Sequence, residues 1–409
     1  MLTINNNIFD RFITYSLIIL MASVIIFPNS FKIYILPLFC LIGVMTFFKV
    51  KYTTNEFLVL SAGSFLTIIY LVLGMFNSNS VEQVPQLVFV YLISPLIWIS
   101  ISIFILNNYQ IKTIFTYLQR YLLVAAITVP IFMLIFKLGG GDYLKWIIEE
   151  NNVVFEENYS GATMHVFGSL IFGFAGVFST NTISNNNFKS LVIILFISVA
   201  LLSGRSALIL SIAIGFLVLV INNLNKVDKI LLYFLTIVLC FVGVYFVLNF
   251  LNIDLFGVLE HHYNKLIDGG GDERTSQVDA LLQGSINNHF LGSGHGVGVD
   301  FIRSEEYPWR YENLPMATIF RTGLIGLLIY AIPIFFTTTK FIRIKKNINQ
   351  IDIFIFTGFI AILIANFTNP YFESYAFQWM IFFPFIYFER RVLTYSKLKG
   401  KKQQKNKNG

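Results

Sequence analysis

The chain has 409 residues, of which 56% are hydrophobic and 12% charged, and its mean hydropathy is +0.70. A soluble domain carries about 25% charged residues, so this composition excludes one and leaves an all-α polytopic membrane protein. The formal net charge of +7 would by itself admit nucleic acid as a partner, but the basic residues fall mostly on one side of the predicted spans, as membrane topology asks, so nucleic acid is not expected.

Apolar stretches predict about twelve spans: 12–28, 31–48, 57–76, 86–106, 118–138, 161–178, 188–203, 205–221, 229–250, 315–338, 351–369 and 373–388. Stretches of about 17 to 25 residues can cross about 30 Å of hydrocarbon. The first span follows Asp10 and Arg11 and lacks an Ala-x-Ala exit, so it is expected to be retained rather than cleaved. An even number of spans puts both termini on one side. Most of the 29 basic residues fall on that side, including Lys49, Lys51, Lys112, Arg120, Lys340, Arg343 and the run from Arg390 to Lys407, and most of the 22 acidic residues fall on the other. The positive-inside rule then makes both termini cytoplasmic. Four regions follow: a bundle of nine spans over 1–250, a long extracytoplasmic loop over 251–314, three spans over 315–389, and a basic cytoplasmic tail over 390–409. The tail is expected to be drawn to anionic lipid. Cys40 and Cys240 lie in apolar runs and are expected to pack as small hydrophobes rather than pair. A second outer loop, 139–160, opens on Gly139-Gly140-Gly141-Asp142, and its Trp146 and Tyr143 suit a headgroup level.

The long loop is the main polar passage. It holds four of the five histidines (His261, His262, His289, His295), the run Gly269 to Gly271, and the turn Gly292-Ser293-Gly294-His295-Gly296-Val297-Gly298. No strand precedes that turn, so its GxGxxG-like spacing is not a dinucleotide site. His261 and His262 are adjacent and point to different helix faces, which makes a poor metal pair.

Three arginines invite chemistry. Arg205 stands in a tight turn between two short spans, where a recessed guanidinium faces a bundle interior or a watery cavity, or else snorkels to lipid phosphate. Arg274 follows three glycines and opens a helix expected over 275–283. It completes an anion cradle there, or else pairs locally with Asp272 or Glu273. Arg321 lies about two turns inside the tenth span, beside Gly323 and Gly326, which predict close helix packing. For a general base the candidates are His289, His295, Glu312 and Glu373. His295, flanked by glycines, admits close backbone approach to a ligand or is a solvated loop histidine. Glu312 stands where the loop returns to the membrane.

Three passages carry a resemblance: Leu202-Ser203-Gly204-Arg205-Ser206-Ala207; Arg274 through Ala280-Leu281-Leu282 to Asn287-Asn288-His289-Phe290-Leu291-Gly292-Ser293-Gly294; and Glu312-Asn313-Leu314 with Phe320-Arg321-Thr322-Gly323-Leu324-Ile325-Gly326. In order and spacing they resemble the core of the O-antigen polymerase and O-antigen ligase superfamily, membrane glycosyltransferases of bacterial surface polysaccharide. The resemblance covers roughly the second half of the chain. It implies a GT-C-like helical fold in a bacterial cytoplasmic membrane, no metal, cofactor or nucleotide sugar, and a donor glycan on undecaprenyl pyrophosphate. It implies that Arg205 and Arg274 hold the pyrophosphate, with Arg321 as a further candidate. Where the family usually shows a histidine before the asparagine, this chain has Glu312, so the proton acceptor is expected to be Glu312 or His295. The expected function is polymerisation of lipid-linked repeat units, with a chain-length regulator as a possible partner. The alternative is a ligase that transfers glycan to lipid-A core. A flippase or other transporter would instead show broken helices and polar groups near mid-membrane.

Overall fold

Apolar runs without internal charge fold into helices because a helix satisfies its own backbone N–H and C=O groups. The computed structural model describes residues 8–77, 83–138, 143, 153–155, 162–164, 168–180, 186–202, 205–223, 238, 272–302 and 307–405. Its helices are α1 (Ile8–Ile26), α2 (Lys32–Phe47), α3 (Thr54–Asn77), α4 (Val84–Val88), α5 (Ser94–Asn108) and α6 (Ile111–Lys137). They continue with α7 (Ser169–Ser179), α8 (Asn186–Leu202), α9 (Ser206–Asn222), α10 (Asp272–Asn287), α11 (Leu314–Tyr330), α12 (Ile332–Arg343), α13 (Gln350–Ala365) and α14 (Trp379–Lys405). A helix occupies each predicted stretch except 229–250, which apart from Val238 lies outside the described residues. So do Gly139 to Gly141, Ser203, Gly204, His261, His262 and Gly269 to Gly271.

Among the described residues four helices are long and apolar enough to cross a membrane: Thr54–Asn77, Val84–Asn108, Ile111–Phe132 and Leu314–Arg343. Two departures from an all-helical expectation stand where the second outer loop meets the sixth predicted span. Val153–Phe155 and Ala162–Met164 pair as an antiparallel hairpin, and only 11 residues, Ser169–Ser179, form α7. β-branched residues in both strands favour the extended pairing over helix. At 1.5 Å per residue α7 is roughly 17 Å long, and every one of its residues is buried. It is apolar all round, as a helix enclosed by others is, and it packs against α9 and α13.

A belt of ion pairs ties α14 to its neighbours. Arg390 forks onto Glu56 of α3 with hydrogen bonds of 2.8 and 2.7 Å. Lys340 of α12 lies 2.9 Å from Glu389, and Arg391 lies 3.4 Å from Asp352 of α13. Glu56 and Asp352 are fully buried, so each pairing offsets a desolvation cost that neither charge could bear alone.

Candidate functional site

The segment after α10 is set by backbone geometry. His289 and Phe290 have φ of 53° and 56°, and Gly292, Gly294 and Gly296 have φ of 92°, 100° and 89°. The chain thus coils into a tight loop and runs in between α3 and α11. Opposite it α11 is broken, because Gly323 adopts φ 66°, ψ −175° in mid-helix. The break frees backbone groups, and the loop takes them up. Ser293 N–H donates to Phe320 O at 2.9 Å, Gly294 N–H to Arg321 O at 2.8 Å, and Leu324 N–H to Phe290 O at 3.1 Å. On the other side His295 N–H donates to Tyr70 O at 2.8 Å, and Asn77 Nδ2 donates to Ser293 O at 2.9 Å. A buried backbone group left without a partner is costly, so the break and the loop require each other. A Cβ on Gly323 would strike Phe290 O, and its φ is one that only glycine adopts freely. Gly323→Ala is therefore expected to lose about 1–3 kcal/mol of stability, read as a lower Tm of the detergent-solubilised protein. An unchanged Tm would mean that the helix does not break there.

Two predicted features change meaning here. Gly323 and Gly326 were expected to mark close helix packing, but Gly323 marks the break. The Gly292–Gly298 turn, expected as an outer loop, is stitched between two helices. His295, weighed as a solvated loop histidine, is 3% exposed.

Three of the predicted site residues meet at the 366–371 turn. Arg205, just before α9, donates from Nη1 to Asn369 Oδ1 at 3.2 Å. Arg274, in the first turn of α10, pairs through Nε with Glu312 Oε2. Arg274 thus meets a carboxylate 38 residues away in sequence. Glu312 is held in place because its N–H donates to Gln277 Oε1 at 2.7 Å. The next residue, Asn313, caps α11 by accepting from Met316 N–H at 3.1 Å. Leu314 N–H then donates to Asn366 O at 3.1 Å, which docks the start of α11 on the end of α13. Tyr371 reports both charges. Burial raises its phenol above the usual range, with Arg205 opposing and Glu312 adding to the shift. An open hollow of about 290 Å³ adjoins the pair, lined by Arg274, Gln277, Glu312, Asn313 and Thr368. With 29% and 15% of their side chains exposed, Arg274 and Glu312 are within reach of a ligand.

His295 and Arg321 belong to a second cluster on the far side of the same turn. Arg321 is 1% exposed. Its Nη1 pairs with Glu373 Oε1 and donates to Tyr91 Oη at 2.8 Å, and its Nη2 donates to Trp309 O. Arg310 Nε lies 4.0 Å from Glu373 Oε2. Tyr91 Oη donates to Glu373 Oε1 at 2.9 Å. The His295 ring stacks on Tyr91 with centroids 4.3 Å apart, and its Nε2 lies 3.0 Å from Tyr330 Oη. Tyr330 Oη in turn lies 2.7 Å from Thr67 Oγ1. His289 is exposed. Among the described residues no three His, Cys, Asp or Glu side chains converge as metal ligands would.

Sequence reasoning missed Tyr91, Tyr330, Trp309, Gln378, Asn369 and Tyr371. One signal was present. Pro95 has no N–H to give Tyr91 O, four residues before it, and the helix widens there into a π turn over Phe89–Ile93, a form that often marks functional sites. The Thr67 hydroxyl serves the freed Tyr91 O at 3.4 Å. The chain matches no known family model, no curated protein and no solved structure.

Proposed function

We propose that the chain is a polysaccharide polymerase of a bacterial cytoplasmic membrane, with twelve spans in a GT-C-like arrangement and both termini in the cytoplasm. In this reading it moves glycan from undecaprenyl pyrophosphate to a sugar hydroxyl of another lipid-linked repeat unit at the outer face. The observation that carries the reading is the convergence of Arg205, Arg274 and Glu312, from three distant parts of the chain, around one turn.

The chemistry follows from those groups. The acceptor hydroxyl oxygen attacks the anomeric carbon, and the bond from that carbon to the pyrophosphate oxygen breaks with inversion. The leaving pyrophosphate keeps the electron pair, and Arg205 and Arg274 stabilise the charge that grows on it. Arginine suits the task because its planar fork binds two oxygens. Before the donor binds, Arg274 is held by Glu312. A phosphate that draws Arg274 away leaves a carboxylate free to take the hydroxyl proton. Glu312 fills this role better than His295, which lies in the second cluster.

The test is reconstitution of the purified protein in liposomes with undecaprenyl-pyrophosphate-linked repeat units, with products resolved by size. A ladder is expected. Transfer only after lipid-A core is added would replace polymerase by ligase. One observation favours a second reading: the break at Gly323, with the Thr67–Tyr330–His295 chain beside it, is the kind of discontinuous helix that transporters use. Silence with both acceptors and movement of the lipid-linked glycan across the bilayer would establish that reading instead.

A further inference from the structure

We infer that the cavity beside His295 and Arg321 holds the uncharged head of a membrane lipid, an alcohol such as a diacylglycerol or a polyprenol, and is not a phosphate site. The inference rests on the reading that the chain spans a membrane, and not on the polymerase chemistry.

The cavity has a volume of about 160 Å³ and lies between α3, α5, α11, α12 and α14. Most of its wall is hydrocarbon, from side chains such as Val59, Leu60, Ile99, Ile381 and Phe382. Its polar lining is confined to a few groups, among them Tyr91, His295, Arg321, Glu373 and Gln378. That division, apolar walls with a few convergent polar groups, is the usual form of a small-molecule site.

The polar groups define the head. Three lining side chains each keep one buried atom without a hydrogen-bond partner among the described residues: Arg321 Nε, His295 Nδ1 and Gln378 Oε1. Arg321 Nε–H can only donate, Gln378 Oε1 can only accept, and an imidazole nitrogen does either according to tautomer. A hydroxyl suits such a set, because it can accept from a guanidinium N–H and can donate to an amide oxygen. Buried polar atoms are seldom left unmatched, so a ligand that reaches them gains the hydrogen bonds without competition from the protein.

Charge decides against an anion. The buried Arg321 guanidinium is paired with the buried Glu373 carboxylate, while Arg310, 4.0 Å from the same carboxylate, is 35% exposed and screened by solvent. A phosphate beside Arg321 would meet the Glu373 carboxylate at close range, a like charge in a buried site. This separates Arg321 from Arg205 and Arg274, beside which the sequence expectation had set it as a pyrophosphate ligand.

The way in is on the flank of α3. Leu60, Gly63 and Ser64 line the cavity and are partly exposed, and a Cβ added at Gly63 would meet nothing within 4 Å. A side chain placed at that position extends into open space, so Gly63→Leu obstructs the cavity without a clash of its Cβ.

The experiment uses the full chain in nanodiscs that contain either diazirine-bearing diacylglycerol or diazirine-bearing phosphatidic acid, which has a phosphate and no alcohol, at equal mole fraction. After photolysis, labelled peptides are mapped by mass spectrometry. Labelling of the cavity-wall residues by diacylglycerol is expected to exceed that by phosphatidic acid about tenfold, the worth of one to two matched hydrogen bonds. Gly63→Leu is expected to remove most of that labelling with Tm unchanged. Unlabelled polyprenol or diacylglycerol, added as competitor, tells which alcohol binds more tightly. Equal labelling by the two lipids, labelling confined to lipid-exposed faces, or wall labelling that survives Gly63→Leu would overturn the site. The two-lipid comparison on the unaltered chain decides the question even where Gly63→Leu fails to fold. A polymer ladder without wall labelling would reject the cavity and leave the polymerase standing; wall labelling without a ladder would do the reverse.

Discussion

Arg274→Ala and Arg205→Ala are each expected to cut polymer formation in the liposome assay by about 10²–10³-fold, the usual cost of removing one fixed donor from a growing oxyanion. The reason is geometric. Arg205 donates to Asn369 and Arg274 pairs with Glu312, so each guanidinium is oriented before a ligand arrives, and Arg274 lines the hollow. Lysine would keep the charge and lose the fork, so Arg274→Lys is expected to fall between the wild type and Arg274→Ala. Glu312→Gln separates binding from proton transfer. It removes the proton acceptor and the charge that holds Arg274, so the donor is expected to bind at least as well while turnover falls by about 10²–10⁴-fold. Donor binding is read by retention of lipid-linked oligosaccharide on the solubilised protein, and turnover by the ladder. Normal ladders from both alanine variants, with normal insertion, would remove the pyrophosphate site. A Glu312→Gln enzyme with full turnover would remove the proton acceptor.

Much of this arrangement is legible in the chain before any coordinates. Apolar runs of this length give the positions of the helices because a helix satisfies its own backbone groups in hydrocarbon. Arg205, Arg274 and Glu312 stand out because charge is scarce in such a chain. What composition could not give is pairing. Arg274 meets Glu312, 38 residues further on, because Gln277 on the same helix binds the Glu312 backbone and brings that carboxylate across. His295 looked solvated because glycines surround it, yet those glycines permit the φ values that carry the loop between α3 and α11. The same small residues that announce flexibility in a sequence here permit close backbone packing. Gly323 shows the ambiguity from the other side. In a helical run a glycine predicts either close packing or a break, and the Phe290 carbonyl, which accepts from Leu324 N–H and stands where a Gly323 Cβ would go, decides between them.

Glu373→Gln is expected to lower the stability of the protein by about 3–5 kcal/mol, the cost of leaving one member of a buried ion pair uncompensated. Arg321 is 1% exposed and Glu373 4%, so solvent can screen neither. Arg321→Ala should be as severe, because it strands the carboxylate and leaves Trp309 O and Tyr91 without the guanidinium. Both losses would abolish the ladder through misfolding alone, which is uninformative about chemistry. The double variant Arg321→Met with Glu373→Leu removes both charges together. Replacing a buried pair by apolar side chains of similar size is often neutral, and the hydrogen bonds lost at Trp309 and Tyr91 cost about 1 kcal/mol each. It is therefore expected to recover most of the stability, measured as Tm in detergent. Its ladder then separates two roles for Arg321. If the guanidinium is a clamp between α11, the 366–373 turn and the chain before α11, polymer returns with the fold. If it is a third phosphate ligand, the double variant folds and stays silent. The buried pairing with Glu373 argues for the clamp, because a cation already neutralised by a carboxylate has little charge left to offer a pyrophosphate.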